Sequence, residues 1–152
     1  MKIIVLKFGG TSVGSIKRIK EVAKIIKSYS KKYKVIVLSS AMSGTTNNLI
    51  QMSQKIGKNF PEREYDSLVS VGEQISCSLL AGQLLVNGLK SRSWMAWQIP
   101  IITEGKHKYS RITQIHKSKI LKFLSSGGIP VIAGFQGVDK NLNITTIGRG
   151  GS

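Results

Sequence analysis

The sequence predicts an α/β domain, a three-layer αβα sandwich with a mainly parallel sheet. Short apolar runs typical of buried strands recur along the chain, and segments with helical spacing of apolar residues separate them. Strands that alternate with helices usually form parallel pairs covered on both faces. The length of 152 residues suits one domain with its own core, and no internal repeat or linker divides the chain.

The first half of the chain contains two predicted strands and three predicted helices. The first apolar run stops at the glycine pair 9–10, and a polar loop at 43–48 leads into the second helix. The third helix follows Pro61, and its acidic residues Glu62, Glu64 and Asp66 suit the positive end of a helix. The predicted strands are 3–8 and 35–38, and the predicted helices are 15–33, 49–56 and about 61–87.

The second half continues the alternation with shorter elements. Ile115, Leu121 and Leu124 predict a helix that ends at the glycine pair 127–128, a common helix stop. A turn-like segment at 139–141 precedes a predicted hairpin arm. The predicted strands are 91–97, 101–103 and 129–133, and the hairpin arm is 141–147.

The formal net charge of +16 raises the question of a nucleic-acid partner. The lysines are spread along the chain, however, and only five of the basic residues are arginine, the main reader of base edges. No helix-turn-helix, zinc-finger or RNA-binding aromatic pattern is present in the sequence. We therefore expect no specific nucleic-acid partner, although a basic protein can bind anionic substrates.

A single cysteine, Cys77, excludes an internal disulfide framework and a cysteine-rich metal site. Its apolar neighbours favour a small buried thiol. No run of about eighteen apolar residues indicates a membrane span, and the apolar amino terminus is too short for a signal-peptide core. These features predict a cytoplasmic protein without a membrane partner.

Two polar segments follow predicted strands, where ligands of parallel sheets usually bind. Residues 7–12 read Lys-Phe-Gly-Gly-Thr-Ser, in which backbone N–H groups and a lysine can approach an anion. The lysine precedes the glycines, so the segment is not a Walker A loop, and a simple strand-end turn is the alternative. Residues 40–47 read Ser-Ala-Met-Ser-Gly-Thr-Thr-Asn, which can bind a ligand or only cap a helix.

Two further segments can bind a ligand or have a purely structural role. Gly72-Glu73 interrupts an apolar helix; the carboxylate can pair structurally, or the glycine can let a ligand approach it. Residues 148–152 read Gly-Arg-Gly-Gly-Ser and can form either a binding loop or a flexible tail.

Taken together, the order and spacing of these segments resemble the amino-terminal part of aspartate kinases, within the amino-acid kinase superfamily. The resemblance covers the whole chain, and its first and last motifs are the most specific. The matching motifs are Val-Leu-Lys-Phe-Gly-Gly-Thr-Ser-Val at 5–13, Leu-Ser-Ser-Ala-Met-Ser-Gly-Thr-Thr at 38–46, Ser-Val-Gly-Glu-Gln-Ile-Ser at 70–76, Trp-Gln-Ile-Pro-Ile-Ile-Thr at 97–103, Ala-Gly-Phe-Gln-Gly at 133–137 and Thr-Thr-Ile-Gly-Arg-Gly-Gly-Ser at 145–152.

The resemblance implies an amino-acid kinase fold and the reaction of that family. The γ-phosphoryl group of ATP is transferred to the side-chain carboxylate of L-aspartate, which yields 4-phospho-L-aspartate for lysine, threonine and methionine synthesis. The acceptor is ionised at neutral pH, so positioning and charge neutralisation matter more than a general base. Mg²⁺ is expected to travel with ATP, without a dedicated protein metal site.

The resemblance also implies a role for each motif residue. Lys7 is the expected catalytic residue, because it neutralises charge on the transferring phosphate. The expected contacts to ATP phosphates are Lys7, Phe8, Gly9, Gly10 and Ser40. The expected contacts to L-aspartate are Thr46, Glu73, Arg149, Gly150, Gly151 and Ser152; Glu73 would accept from the α-ammonium and Arg149 would bind the α-carboxylate.

Residues 1–152 are expected to be the amino-terminal, amino-acid-binding part of such a kinase. Ala96 stands where the family commonly has glycine, and Glu104 where it commonly has aspartate. The family continues into a nucleotide-binding half and regulatory ACT domains, so we expect the truncated chain alone to be inactive. A complementing carboxyl-terminal chain or a homo-oligomer is the expected partner. Two alternatives stay open: another amino-acid kinase, and a non-catalytic basic binding protein.

Overall fold

The computed structural model of the chain describes residues 1–148, which form eight strands and five helices. The strands are β1 Ile3–Phe8, β2 Lys34–Ser39, β3 Ser91–Trp94, β4 Ile101–Glu104, β5 Arg111–Ile115, β6 Ile129–Ala133, β7 Gln136–Val138 and β8 Ile144–Thr146. The helices are α1 Ile16–Ser30, α2 Thr45–Ile56, α3 Glu62–Val69, α4 Val71–Val86 and α5 Ser118–Ser125.

The larger structural unit is a four-stranded parallel sheet with the order β1-β2-β6-β3. Phe8 lies opposite Ser39, and Ser39 lies opposite Ala133, so these three strands end at the same edge. This alignment places the loops after β1, β2 and β6 side by side, as expected for parallel strands with helical crossovers.

Helices cover the two faces of this sheet unequally. The inward side chains of β2 and β6, such as Val37 and Val131, pack with α1 and α4 in the main core. On the opposite face, Ile120 of α5 belongs to a smaller core with Trp94 and partly buried Ile132. The predicted αβα sandwich is confirmed, with its thicker helical layer on the side of α1 and α4.

A second sheet with the order β5-β4-β7-β8 accounts for the carboxyl-terminal elements. β4 pairs with β7 in parallel, whereas β4–β5 and β7–β8 are antiparallel. The predicted hairpin arm is therefore confirmed as β8, which pairs with β7.

The prediction that Ile115 begins a helix is wrong. Ile115 ends strand β5, and helix α5 begins only at Ser118. All five residues of β5 are exposed at the edge of the second sheet. An edge strand without a buried face has no apolar alternation to reveal it, so the strand was missed.

The two central helical predictions were also imprecise. Helix α2 begins at Thr45 rather than at 49, because Gly44 adopts a left-handed φ of 84° and lets the chain turn directly into the helix. The predicted helix 61–87 is interrupted at Ser70, whose carbonyl accepts a hydrogen bond from Gln136 Nε2 at 3.2 Å. A side chain that competes for a helical carbonyl commonly kinks a helix.

Two predicted elements extend too far at their carboxyl ends. Helix α1 ends at Ser30 rather than 33, and β3 ends at Trp94 rather than 97. After β3 the chain turns, since Gln98 N–H donates to Met95 O at 3.0 Å and Met95 N–H donates to Gln98 Oε1 at 2.9 Å.

Within residues 1–148, the helical stretch Glu62–Val86 is long and apolar enough to cross a membrane by length and composition. The sequence predicts a helix over about 61–87 but no membrane span. Half of its most apolar window is buried, and Leu80 and Leu84 pack in the main core. Core helices of soluble proteins meet the same criterion, and the packing accounts for this one.

Candidate functional site

A cavity of about 300 Å³ lies where β1 and β2 end, beside the start of α2 and one side of α4. It brings together four residues that the sequence analysis selected: Lys7, Ser40, Thr46 and Glu73. The remaining lining residues are Ala41, Met42, Ser43, Gly44, Asn47 and Phe135. A lysine, a buried carboxylate and several hydroxyl groups therefore share one small polar space.

Glu73 is the most unusual group in the cavity wall. Its side chain is only 4% exposed, and Oε1 accepts a hydrogen bond from Ala41 N–H at 3.0 Å. The second oxygen, Oε2, is buried and has no hydrogen-bond partner among residues 1–148. A buried polar atom without a partner costs roughly 1–3 kcal/mol, which makes Glu73 a candidate functional residue.

Burial raises the pKa of Glu73 from 4.5 to about 7, and the hydrogen bond from Ala41 N–H only partly opposes that shift. The carboxyl group is thus poised near neutral pH. A cationic ligand group at Oε2 would favour the ionised form and supply the missing partner.

The glycine in front of Glu73 serves packing rather than ligand approach. A Cβ atom on Gly72 would lie 2.8 Å from Ala41 Cβ. The absent side chain therefore lets α4 approach the loop that follows β2. This close approach brings Ala41 N–H within reach of Glu73.

The glycine pair after β1 also brings loops together. Gly10 O accepts from Ser43 N–H at 3.1 Å, and a Cβ on Gly10 would lie 2.8 Å from Ala41 O. A Cβ on Gly9 would meet nothing within 4 Å. Phe8 packs partly buried against the main core. None of these three is among the lining residues of the cavity, and their contacts to phosphate stay predictions.

Hydroxyl groups hold Ser40 in place below the cavity. Ser76 Oγ on α4 donates to Ser40 O at 2.6 Å, and Ser39 Oγ donates to Ser76 Oγ at 3.2 Å. Ser40 N–H donates to Phe8 O at 3.0 Å. These bonds connect the ends of β1 and β2 to the helix that carries Glu73.

The start of α2 gives the cavity an electropositive wall. Gly44, Thr46 and Asn47 line the cavity, and all three belong to the first turn of this 12-residue helix or to its N-cap. The first N–H groups of a helix carry partial positive charge and favour anions. Together with Lys7, they suit a carboxylate or a phosphate.

Sequence analysis missed Phe135 as a cavity residue, although it lies in one of the quoted motifs. It occupies the turn between β6 and β7 with a φ of 65°, and Gln136 N–H donates to Gly134 O at 2.8 Å. A non-glycine residue in this region is strained, and such residues cluster at functional sites. The sequence contains no signal for this φ, because glycine is the residue that would reveal it.

Asp66 was also misjudged. It was assigned to the positive helix start, but it lies in the second turn of α3 and is fully buried. Its carboxylate accepts hydrogen bonds from Lys108 and Thr146. An acidic residue that follows Glu62 and Glu64 near a helix start gives no indication of such distant partners.

The predicted substrate residues Arg149, Gly150, Gly151 and Ser152 lie outside the described residues. Gly148, the last described residue, has a φ of 80° and lines a cavity of about 340 Å³ together with Thr46 and Phe135. Both of these residues also line the cavity that holds Glu73.

Cys77 is the buried thiol that the sequence predicted. Its Sγ donates to Val131 O at 2.9 Å, and burial raises the pKa of the thiol to about 12. A protonated, inaccessible thiol is unreactive. Among residues 1–148, no group of three or more histidine, cysteine, aspartate or glutamate side chains is placed to hold a metal ion.

Comparison with known proteins assigns the fold to a family. The model of the amino acid kinase family matches residues 2–152. This chain belongs to that family. The aspartokinase of Geobacillus stearothermophilus is 47% identical to this chain over 153 aligned residues, which are 100% of this chain and 38% of the relative.

Solved structures show the same fold. The aspartate kinase of Synechocystis has a TM-score of 0.81 at 39% identity, over 100% of this chain and 25% of that one. Aspartokinase III of E. coli, solved in complex with aspartate and ADP, has a TM-score of 0.84 at 20% identity, over 99% of this chain and 44% of that one. This chain thus spans less than half the length of the aspartokinases that it matches.

Proposed function

We propose that this chain forms the amino-acid site of an aspartate kinase. The proposed reaction transfers the γ-phosphoryl group of ATP to the side-chain carboxylate of L-aspartate and forms 4-phospho-L-aspartate, for lysine, threonine and methionine synthesis in the cytoplasm. Residues 1–152 would be the amino-terminal part of the kinase domain. The nucleotide-binding half and the ACT domains would correspond to the part of the relatives that the chain does not span.

The partnerless oxygen of Glu73 is the observation that carries the proposal. Oε2 is buried without a hydrogen-bond partner among residues 1–148, and Glu73 lines a cavity together with Lys7. The two side chains suit groups of opposite charge. An α-amino acid with a second carboxylate has an ammonium for Glu73 and an anionic group for Lys7. Charge-assisted hydrogen bonds of this kind are about twice as strong as neutral ones.

The cavity also suits phosphoryl transfer. Lys7 and the start of α2 supply positive charge, and Ser40 supplies a hydroxyl group. The acceptor carboxylate is already ionised, so proton abstraction is unnecessary. The proposed role of these groups is to hold two anions close together and to neutralise the charge that moves between them.

ATP is proposed as the phosphoryl donor, with Mg²⁺ bound to its phosphates. ADP is bound in the E. coli relative, which supports a nucleotide substrate. Phosphate-bound Mg²⁺ usually keeps several water ligands and takes few from protein. It would therefore supply charge neutralisation at the phosphates, while Lys7 supplies it at the transferring group.

Binding of L-aspartate to the 152-residue chain is the first test, by isothermal titration calorimetry at pH 8. We expect L-aspartate to bind more tightly than L-glutamate, and succinate, which lacks the ammonium, to bind much more weakly. Glu73→Gln should remove the difference between L-aspartate and succinate. Equal affinity for L-aspartate and succinate in the unmodified chain would contradict the proposal.

Catalysis is tested by adding the carboxyl-terminal region of the Geobacillus stearothermophilus aspartokinase. Hydroxylamine traps the acyl phosphate, and a coupled assay measures ADP. We expect L-aspartate-dependent turnover that exceeds turnover of L-glutamate. Equal or faster phosphorylation of L-glutamate would instead assign the chain to another kinase of the same family.

A further inference from the structure

We propose that a second cavity, between strand β3 and helix α5, binds an organic anion in which an aromatic ring carries a phosphate group. The cavity measures about 530 Å³ and is lined by three cationic side chains, two aromatic rings and two polar residues. None of these residues lines the cavity that contains Glu73. The inference therefore goes beyond the proposed function and does not depend on it.

The periodicities of β3 and α5 bring the lining residues together. Arg92 and Trp94 are two positions apart on β3, so their side chains lie on the same face of the sheet. Lys119, Lys122 and Phe123 are three or four positions apart on α5, so they share one face of the helix. The cavity lies where these two faces meet, and each face supplies both positive charge and an aromatic ring.

The two rings form the apolar part of the cavity wall. The centroids of Trp94 and Phe123 are 6.0 Å apart, and the rings meet edge to face at an angle of 66°. A Cβ on Gly128 would lie 2.5 Å from Phe123 Cζ, so the absent side chain leaves room for the Phe123 ring. The Arg92 guanidinium carbon lies 4.3 Å from the centre of the Trp94 ring. A flat ring is the ligand group that suits such a surface.

Arg92, Lys119 and Lys122 give the cavity positive charge that no carboxylate neutralises. None of the three takes part in an ion pair within residues 1–148, and no aspartate or glutamate lines the cavity. Lys119 Nζ donates to Gln98 O at 3.2 Å, which connects α5 to the turn after β3. A cleft lined by cations alone attracts anions, and three cations suit a group with more than one negative charge.

Trp94 provides a second, independent indication of a ligand. Its side chain is 5% exposed, and its indole Nε1 is buried without a hydrogen-bond partner within residues 1–148. Buried donors are normally paired, so each exception calls for an explanation. An oxygen atom of the bound anion would accept a hydrogen bond from this N–H and complete the pairing.

The test follows the indole N–H resonances of the isotope-labelled 152-residue chain by NMR, during titration with phenyl phosphate at pH 8, where the phosphate is doubly ionised. The chain has two tryptophans, and Trp97→Phe assigns their signals. We expect a saturable shift of the Trp94 signal. Phenyl phosphate should bind about tenfold more tightly than inorganic phosphate, which lacks the ring, or phenol, which lacks the charge.

Arg92→Gln and Lys122→Gln test the role of the cations. Each should weaken phenyl phosphate binding about fivefold, as expected for the loss of one partly exposed ion pair. Lys117→Gln is the matched control, because Lys117 directly precedes α5 but does not line the cavity. It removes the same charge and should leave the affinity unchanged.

The outcomes decide the proposal without reference to L-aspartate. Losses in Arg92→Gln and Lys122→Gln, with none in Lys117→Gln, support the site. An equal loss in Lys117→Gln would show a general attraction of anions to a basic protein and would reject it. Equal affinities for phenyl phosphate and inorganic phosphate, or a Trp94 signal that does not respond to millimolar phenyl phosphate, would also reject it. Binding at the cavity of Lys7 leaves the Trp94 signal unchanged, since Trp94 does not line that cavity.

Discussion

Glu73 combines burial with an incomplete set of hydrogen bonds, and this combination determines how the site should respond to pH. Ionisation is needed for Glu73 to attract an ammonium group, but burial opposes ionisation and raises its pKa to about 7. The folded chain without ligand therefore stabilises the protonated form.

We expect L-aspartate affinity to rise as the pH increases from 6 to 8, by up to about tenfold per pH unit below the pKa of Glu73. The rise should level off above pH 8 and should be absent in Glu73→Gln. Calorimetric titrations at several pH values measure the effect. An affinity in the unmodified chain that does not change between pH 6 and pH 8 would refute it.

The same pKa shift predicts the pH dependence of stability. A raised pKa for an acid means that its contribution to the free energy of unfolding is fully present below pH 4.5 and is lost as the pH rises through about 7. At pH 8, Glu73→Gln should therefore be more stable than the unmodified chain, by roughly 3 kcal/mol, since the pKa moves from 4.5 to about 7 and one pKa unit corresponds to about 1.4 kcal/mol. Urea denaturation at pH 4 and pH 8 measures the free energy of unfolding of the unmodified chain and of Glu73→Gln. If the two proteins differed in stability by the same amount at both pH values, the raised pKa of Glu73 would be contradicted.

Lys7 and Arg149 should affect different kinetic constants in the complemented enzyme. Lys7→Ala should mainly lower kcat, because positive charge is needed as phosphate charge rearranges. Arg149→Ala should mainly raise the KM for L-aspartate, because the α-carboxylate does not react. Steady-state kinetics distinguish the two, and an unchanged KM in Arg149→Ala would exclude the proposed carboxylate contact.

At the scale of secondary-structure elements, the site depends on how closely α4 approaches the loop after β2. Ala41 contributes its N–H to Glu73 and its side chain to the contact with Gly72. The distance between α4 and the loop after β2 therefore determines both the packing of Gly72 and the position of the Glu73 carboxylate.

Gly72→Ala and Gly82→Ala form a matched pair within α4. The new Cβ at position 72 would lie 2.8 Å from Ala41 Cβ, so we expect a loss of about 1–3 kcal/mol in the free energy of unfolding. At position 82 a Cβ meets nothing within 4 Å, and alanine should stabilise the helix by about 0.5–1 kcal/mol. Chemical denaturation measures the free energy of unfolding of each variant. If both substitutions stabilised the chain, the contact with Ala41 would not limit the size of residue 72.

At the scale of the whole molecule, β1 forms one edge of the parallel sheet and leaves apolar side chains uncovered. Ile3 is 50% exposed and Val5 is 63% exposed. Unpaired edge strands with apolar side chains promote association. We therefore expect this face to promote association of the chain with a second copy of itself.

Val5→Thr should therefore reduce concentration-dependent association of the 152-residue chain, as measured by sedimentation velocity. Threonine keeps the β-branched shape and the strand preference, so only the apolar contact is weakened. Val86→Thr is the control, because Val86 is 82% exposed at the end of α4, away from the sheet edge. An equal effect of both substitutions would point to general surface polarity rather than to the face of β1.

The sequence by itself determined the parallel α/β fold, the motifs at the ends of β1 and β2, and the choice of Lys7, Ser40, Thr46 and Glu73. The fold and the positions of the motifs follow from local periodicity and from the rule that parallel strands end at one edge. The choice of the four residues follows from the resemblance of their motifs to those of aspartate kinases. Only the tertiary structure decided that Glu73 Oε2 is buried without a partner and that Asp66 is an internal connection. The bond from Ala41 to Glu73 joins residues 32 positions apart, and the bond from Thr146 to Asp66 joins residues 80 positions apart. Local patterns carry no information about such pairs, because burial and hydrogen bonding depend on which distant segments meet when the chain folds.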